Sequence, residues 1–215
     1  MIRTLIASAV VVPCLLVASP VVAQDGAFPR PSVYPVSWEL RFNIDTPRRI
    51  AVDLPGEALP KAYWYVTYQV SNLTDRERMF LPVFELMTDA GEIQRSDRNI
   101  PRVVFDRIKA RVGDSMLQPA VRIAGPLLVG PEQIKHGVAI FEEPERDVRE
   151  FTIFVAGLSG ETAVPTDPDG QPLTDADGKP IVLRKTLKLD YTTRGDRFFA
   201  GENTIELVRR EWVMR

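Results

Sequence analysis

The stretch Ala62-Tyr63-Trp64-Tyr65-Val66-Thr67-Tyr68-Gln69-Val70-Ser71-Asn72 decides the fold. On an extended chain, Trp64, Val66, Tyr68 and Val70 share one face, and Tyr65, Thr67, Gln69 and Ser71 share the other. Period two with aromatic and β-branched residues on the apolar face predicts a strand. Asn72-Leu73-Thr74-Asp75 closes it with a polar turn. The same rhythm recurs on either side. Upstream, Val36, Trp38, Leu40 and Phe42 alternate with Ser37, Glu39, Arg41 and Asn43, and Ile50–Leu54 forms a second short candidate. Downstream come Met79–Thr88, where Pro82 marks an edge or a bulge, then Pro119–Gly125, His136–Glu142, Val148–Gly157, Ile181–Tyr191 and Thr204–Met214. In the last of these the apolar period slips by one between Leu207 and Val208, which predicts a bulge.

One segment breaks the rhythm. Val104, Phe105, Ile108 and Val112 fall on one helical face, Pro101 suits a first turn, and Gly113 suits a left-handed C-terminus. This predicts a single helix over about 101–112, packed on the face or end of a sheet. The 18 prolines leave little room for others. Eight or nine short strands without βαβ alternation predict an all-β chain. The expected architecture is an immunoglobulin-like antiparallel β-sandwich with that one helix inserted, and a closed barrel is the alternative.

The beginning of the chain has a different character. Arg3 precedes a nearly unbroken apolar run from Leu5 to Val22, and Val21-Val22-Ala23 places small residues before a cut at Gln24. This predicts a signal peptide over 1–23 and a periplasmic or extracellular destination. Residues 24–35, with Pro29, Pro31 and Pro35, read as an extended arm. Residues 36–215 read as one domain. No second apolar run reaches spanning length, so no membrane span is expected in the mature chain.

Composition excludes several chemistries. The only cysteine, Cys14, lies in the leader, and His136 is the only histidine. Thiol catalysis and a His/Cys zinc site are therefore excluded in the mature chain. There is no phosphate-binding glycine loop and no dinucleotide fingerprint, and no cofactor is expected. The 27 basic and 29 acidic residues nearly balance, which argues against a nucleic-acid partner. Gly157-Leu158-Ser159-Gly160-Glu161 resembles a nucleophile elbow, but its second glycine comes one place early and no helix follows. A Ser159–His136 pair is accordingly not expected, and His136 reads as a polar residue at a strand start.

Three features remain. Tyr63 and Tyr65 lie opposite Trp64, Val66 and Tyr68; exposed, they would form an aromatic stripe for a partner or a sugar. The alternative is that the helix or the arm covers them, since the helix must bury its own apolar face. Second, Thr166-Asp167-Pro168-Asp169-Gly170-Gln171-Pro172 is echoed eight residues on by Thr174-Asp175-Ala176-Asp177-Gly178-Lys179-Pro180. Asp167, Asp169, Asp175 and Asp177 are candidate calcium ligands. An EF-hand register fails, because Leu173 and Arg184, or Pro165 and Ala176, occupy its first and last positions. The other reading is a pair of Asp-Gly turns. Third, the acidic run Glu142, Glu143, Glu145, Asp147 and Glu150 reads as a solvated turn and strand edge.

A resemblance adds to this. Tyr65–Asn72 and Phe80–Gly91, with Gly137–Phe141, Phe151–Ser159 and Val182–Thr186, resemble blocks of a group of exported, uncharacterised bacterial proteins of planctomycete type. The likeness spans about residues 62–215 and implies no activity, ligand or catalytic residue. The first block also resembles immunoglobulin-like domains, which bears on fold.

These readings converge on an exported, non-enzymatic binding or scaffolding protein whose partner is a protein or another envelope component. The alternatives are a carboxylate-based hydrolase of envelope or extracellular polysaccharide and a calcium-stabilised module.

Overall fold

The structure is a computed structural model that describes residues 28–144, 148–194 and 204–215. The predicted leader and the first residues of the arm lie outside them. In chain order the strands are β1 (Arg41–Ile44), β2 (Arg48–Val52), β3 (Lys61–Ser71), β4 (Arg78–Phe80), β5 (Val83–Thr88) and β6 (Ile93–Arg95). Helix α1 (Arg102–Val112), β7 (Leu117–Pro119), the short α2 (Ala120–Ile123) and β8 (Gly125–Leu127) follow. The chain continues through β9 (Lys135–Glu142), β10 (Glu150–Ala156), β11 (Thr162–Ala163), β12 (Leu183–Arg194) and β13 (Thr204–Met214).

These form a β-sandwich. In the first sheet β3 is central: β1 and β2 pair with successive halves of it, β9 pairs with its other edge, and β7 follows β9. The second sheet runs β6-β5-β10-β12, with β13 along the remaining edge of β12 and β11 pairing with its start. A β4–β8 ribbon carries Phe80 and Leu127 into the core.

The alternation of β3 divides its side chains as the sequence predicts. Trp64, Val66, Tyr68 and Val70 are buried against the second sheet. Trp64 meets Phe151 edge-on at 4.9 Å, and Tyr68 lies 4.8 Å from Phe84 between ring centroids. Gly137, paired with Tyr68 across β3 and β9, leaves room for that ring; a Cβ there would stand 2.3 Å from Tyr68 Cζ.

The opposite face of the first sheet is roofed by α1. Val104 and Ile108 are fully buried over Tyr63, Tyr65, Val138, Ile140, Ile50 and Val52. Each such aliphatic side chain contributes on the order of 1.5–3 kcal/mol of burial. Pro101, extended at φ −60°, ψ 140°, precedes the helix, and Gly113 ends it at φ 73° with its N–H donating to Lys109 O. Lys109 and Arg111 in the last turn face the negative end of the helix dipole.

Several local expectations change. Pro119–Gly125 is not one strand: β7 stops at Pro119 and α2 turns over Ala120–Ile123, burying Ile123. The β7–β9 pairing is parallel, so the sandwich is not wholly antiparallel. Met79–Thr88 breaks at Pro82 into β4 and β5, which belong to different sheets. The first strand begins at Arg41, and Val36 is 72% exposed. The slip in β13 is a register shift opposite Asp190/Tyr191.

Candidate functional site

Tyr63 and Tyr65 do not form a surface stripe. They are 0% and 1% exposed, because α1 buries its apolar face on them. Their hydroxyls, like that of Tyr68, find no hydrogen-bond partner among the described residues. As partner-binding residues they are corrected: they are the floor beneath the helix.

The Asp-Gly loop consists of two turns of the same construction. Asp167 Oδ1 accepts the N–H groups of Asp169 and Gln171, and Asp175 Oδ1 accepts those of Asp177 and Lys179. Thr166 bridges to Pro172, and Thr174 to Pro180. Asp167 and Asp175 thus each spend one carboxylate oxygen on their own backbone. Among the described residues no three His, Cys, Asp or Glu side chains gather as a metal site.

Charged groups also gather away from this loop. Lys185, on β12, is 2% exposed, and its Nζ lies 2.6 Å from Glu39 and 3.0 Å from Glu161. It also donates to Ser32 O, while the Ser32 N–H donates to Glu161 Oε1, so this cluster pins the extended arm. Burial alone would raise the Glu161 carboxyl, but the Ser32 N–H and the Lys185 ammonium outweigh it and hold it below the usual range. At the other end, His136 Nδ1 lies 2.6 Å from Asp114. Burial of Asp114 is outweighed by that contact and by the Met116 N–H, so its carboxyl is also lowered. Ser159 is not brought to His136; its hydroxyl accepts the Glu161 N–H. Of the acidic run, Glu143 pairs with Arg49 and accepts from Trp64 Nε1, and Glu142 pairs with Lys61. Glu145 and Asp147 lie outside the described residues.

The candidate site is a groove of about 1050 Å³ between α1 and the β7–α2 segment. Phe105, Leu117, Pro119 and Ile140 contribute apolar walls, Met116 and Val121 form a lip, and Arg102, Lys109 and Arg122 stand at the rim. Met116 is 53% and Val121 88% exposed. Asp97 reaches the groove from the crossover between β6 and α1, where its N–H donates to Ile140 O and continues the β9 edge beyond β7. Its backbone is left-handed (φ 60°), as is that of Asn99 (φ 57°). Burial pushes its carboxyl up to about 6, although Ser96 Oγ and the Ile140 backbone favour the charged form. A strained residue with a raised carboxyl in a groove of this size meets the physical criteria for a functional position. Nothing in the alternation of strands marks Asp97, Met116, Val121 or Arg122. The available signal was the local charge of 95–122: seven basic residues against three acidic, in a chain with net charge −2.

Compared with family models, curated proteins and solved structures, the chain finds no match. What fold and site define is a class: a two-sheet β-sandwich with a helix on one outer face and a mixed apolar and basic groove beside that helix.

Proposed function

We propose that the protein is exported to the periplasm or beyond and acts there as a non-enzymatic binding or scaffolding protein of the cell envelope, docking through the α1/β7–α2 groove. The observation that carries this reading is the groove lip, where Met116 and Val121 stand exposed between unburied arginines. Exposed apolar residues rimmed by charge mark interaction surfaces. The acids also favour binding over reaction: Glu161 and Asp114 are held ionised by fixed partners, the opposite of what a general acid needs. The two stacked sheets support an immunoglobulin-like relation for this binding protein.

A second reading has one observation behind it. Asp97, raised to about 6, and Asp106 line the same groove, as the two carboxyl groups of a carboxylate hydrolase would. Against it, the Asp106 side chain is 57% exposed and lies 3.8 Å from Arg102.

One experiment separates the two. The mature chain and a Met116→Asp/Val121→Asp variant are sedimented with envelope fragments from the cells that make the protein, and soluble reducing sugar is measured. The binding reading expects retention of the wild type, release of the variant and no sugar. Sugar release abolished by Asp97→Asn would put the hydrolase first, and no retention would defeat the binding reading.

A further inference from the structure

Building on that reading, we infer that the partner of this face is an anionic phospholipid surface, met by the arginines of α1 and α2 with Val121 and Met116 entering the layer. The whole chain is slightly acidic, yet residues 95–122 carry net +4. Most of that charge is outward: Arg98, Arg102, Arg107, Arg111 and Arg122 are all exposed. Their internal partners are few. Arg102 stands 3.8 Å from Asp106, Arg111 donates to Arg49 O, and Lys109 donates to Ser115 O and Leu117 O. Arg98, Arg107 and Arg122 make no hydrogen bond or ion pair with the described residues, leaving their guanidinium donors for an outside anion.

The apolar component narrows the choice of anion. Val121, the most exposed residue of the groove lip, adjoins Arg122 and lies across the groove from Arg102. A solvated anionic polysaccharide offers nothing to an exposed valine and methionine, and sugar recognition favours exposed aromatic faces. Here Phe105 is half-buried, and Tyr63 and Tyr65 are covered. A bilayer surface offers both required elements, phosphates outermost and hydrocarbon beneath them. Arginine forks suit phosphate oxygens. No helix among the described residues is long and apolar enough to cross a membrane, so the contact is peripheral.

The test is co-sedimentation of the mature chain with vesicles of 30% phosphatidylglycerol in phosphatidylcholine, against phosphatidylcholine alone, in 50 and 300 mM NaCl. Binding to the anionic vesicles, weakened at the higher salt, is expected. Each neutralised arginine removes about fivefold in partitioning, so Arg102→Gln/Arg122→Gln lowers it roughly 25-fold. Val121→Asp also lowers it, and Arg209→Gln, on β13, leaves it unchanged. Urea midpoints equal to wild type show that the variants remain folded. Absence of anionic-vesicle binding, equal binding by the double arginine variant, or equal binding by Val121→Asp overturns the inference. Envelope retention without vesicle binding would overturn the lipid and leave the binding function standing.

Discussion

Replacing Asp97 by Asn separates the cost of a buried carboxylate from every other ionisation in the molecule. Asn tolerates the left-handed backbone at this position, so the change removes charge with little added strain. The folded carboxyl titrates near 6 and the unfolded one near 3.8. Below about pH 4 both states are protonated, and the site contributes no penalty. Between about 4 and 6 the folded state holds the extra proton, so the wild type loses stability as pH rises. Above 6 both states are ionised and the loss is complete. Two units at 1.36 kcal/mol each give about 3 kcal/mol, and the opening to the groove reduces this to about 1–2. Urea unfolding of both proteins at pH 3.5 and 7.5 measures it. The Asn variant should match the wild type at pH 3.5 and exceed it by about 1–2 kcal/mol at pH 7.5. Titration of the lowered carboxylates Glu161 and Asp114 runs the other way and cancels in the difference. A wild-type/variant difference that does not change with pH would refute the reasoning.

Other substitutions probe the layers separately. Lys185→Ala leaves Glu39 and Glu161 facing each other without their cation, and should cost about 3–5 kcal/mol by urea denaturation and expose the Ser32 segment to proteolysis. Gly137→Ala forces a Cβ onto Tyr68 and Ile123 and should lower stability by about 1–3 kcal/mol, measured as a lower melting temperature. Tyr65→Phe removes a buried hydroxyl without a partner among the described residues and should be neutral or stabilising by up to about 1 kcal/mol. Millimolar calcium followed by chelator should leave the melting temperature unchanged, because Asp167 and Asp175 are occupied with their own turns; a rise with calcium would restore the metal reading.

The fold was legible where one periodicity ruled. The alternation in Ala62–Asn72 predicted which side of β3 faces the second sheet, and the 101–112 pattern placed α1 with its C-terminal glycine. The slip near Leu207 predicted the register shift in β13. Pro119–Gly125 was misread because a single turn of helix and two short strands are too brief to show a period. The site was far less legible. Asp97 acquires its character from the Ile140 edge it joins, a contact 43 residues away in sequence that no local pattern encodes. The basic face was hidden by averaging, since net charge summed an arginine-rich helical segment with acidic turns elsewhere. Lys185 falls on the same odd-numbered side of its strand as Leu187, Leu189 and Tyr191, where a lysine gives no sign of the Glu39 and Glu161 that make its burial tolerable.

The central claim is that this sandwich works through the face built by α1 and the β7–α2 segment. Hydrogen exchange of the mature chain, with and without envelope fragments, tests it most directly. New protection concentrated over residues 100–122 is the predicted result. A footprint on the acidic turns or the β13 edge, with 100–122 exchanging as in the free protein, would contradict it.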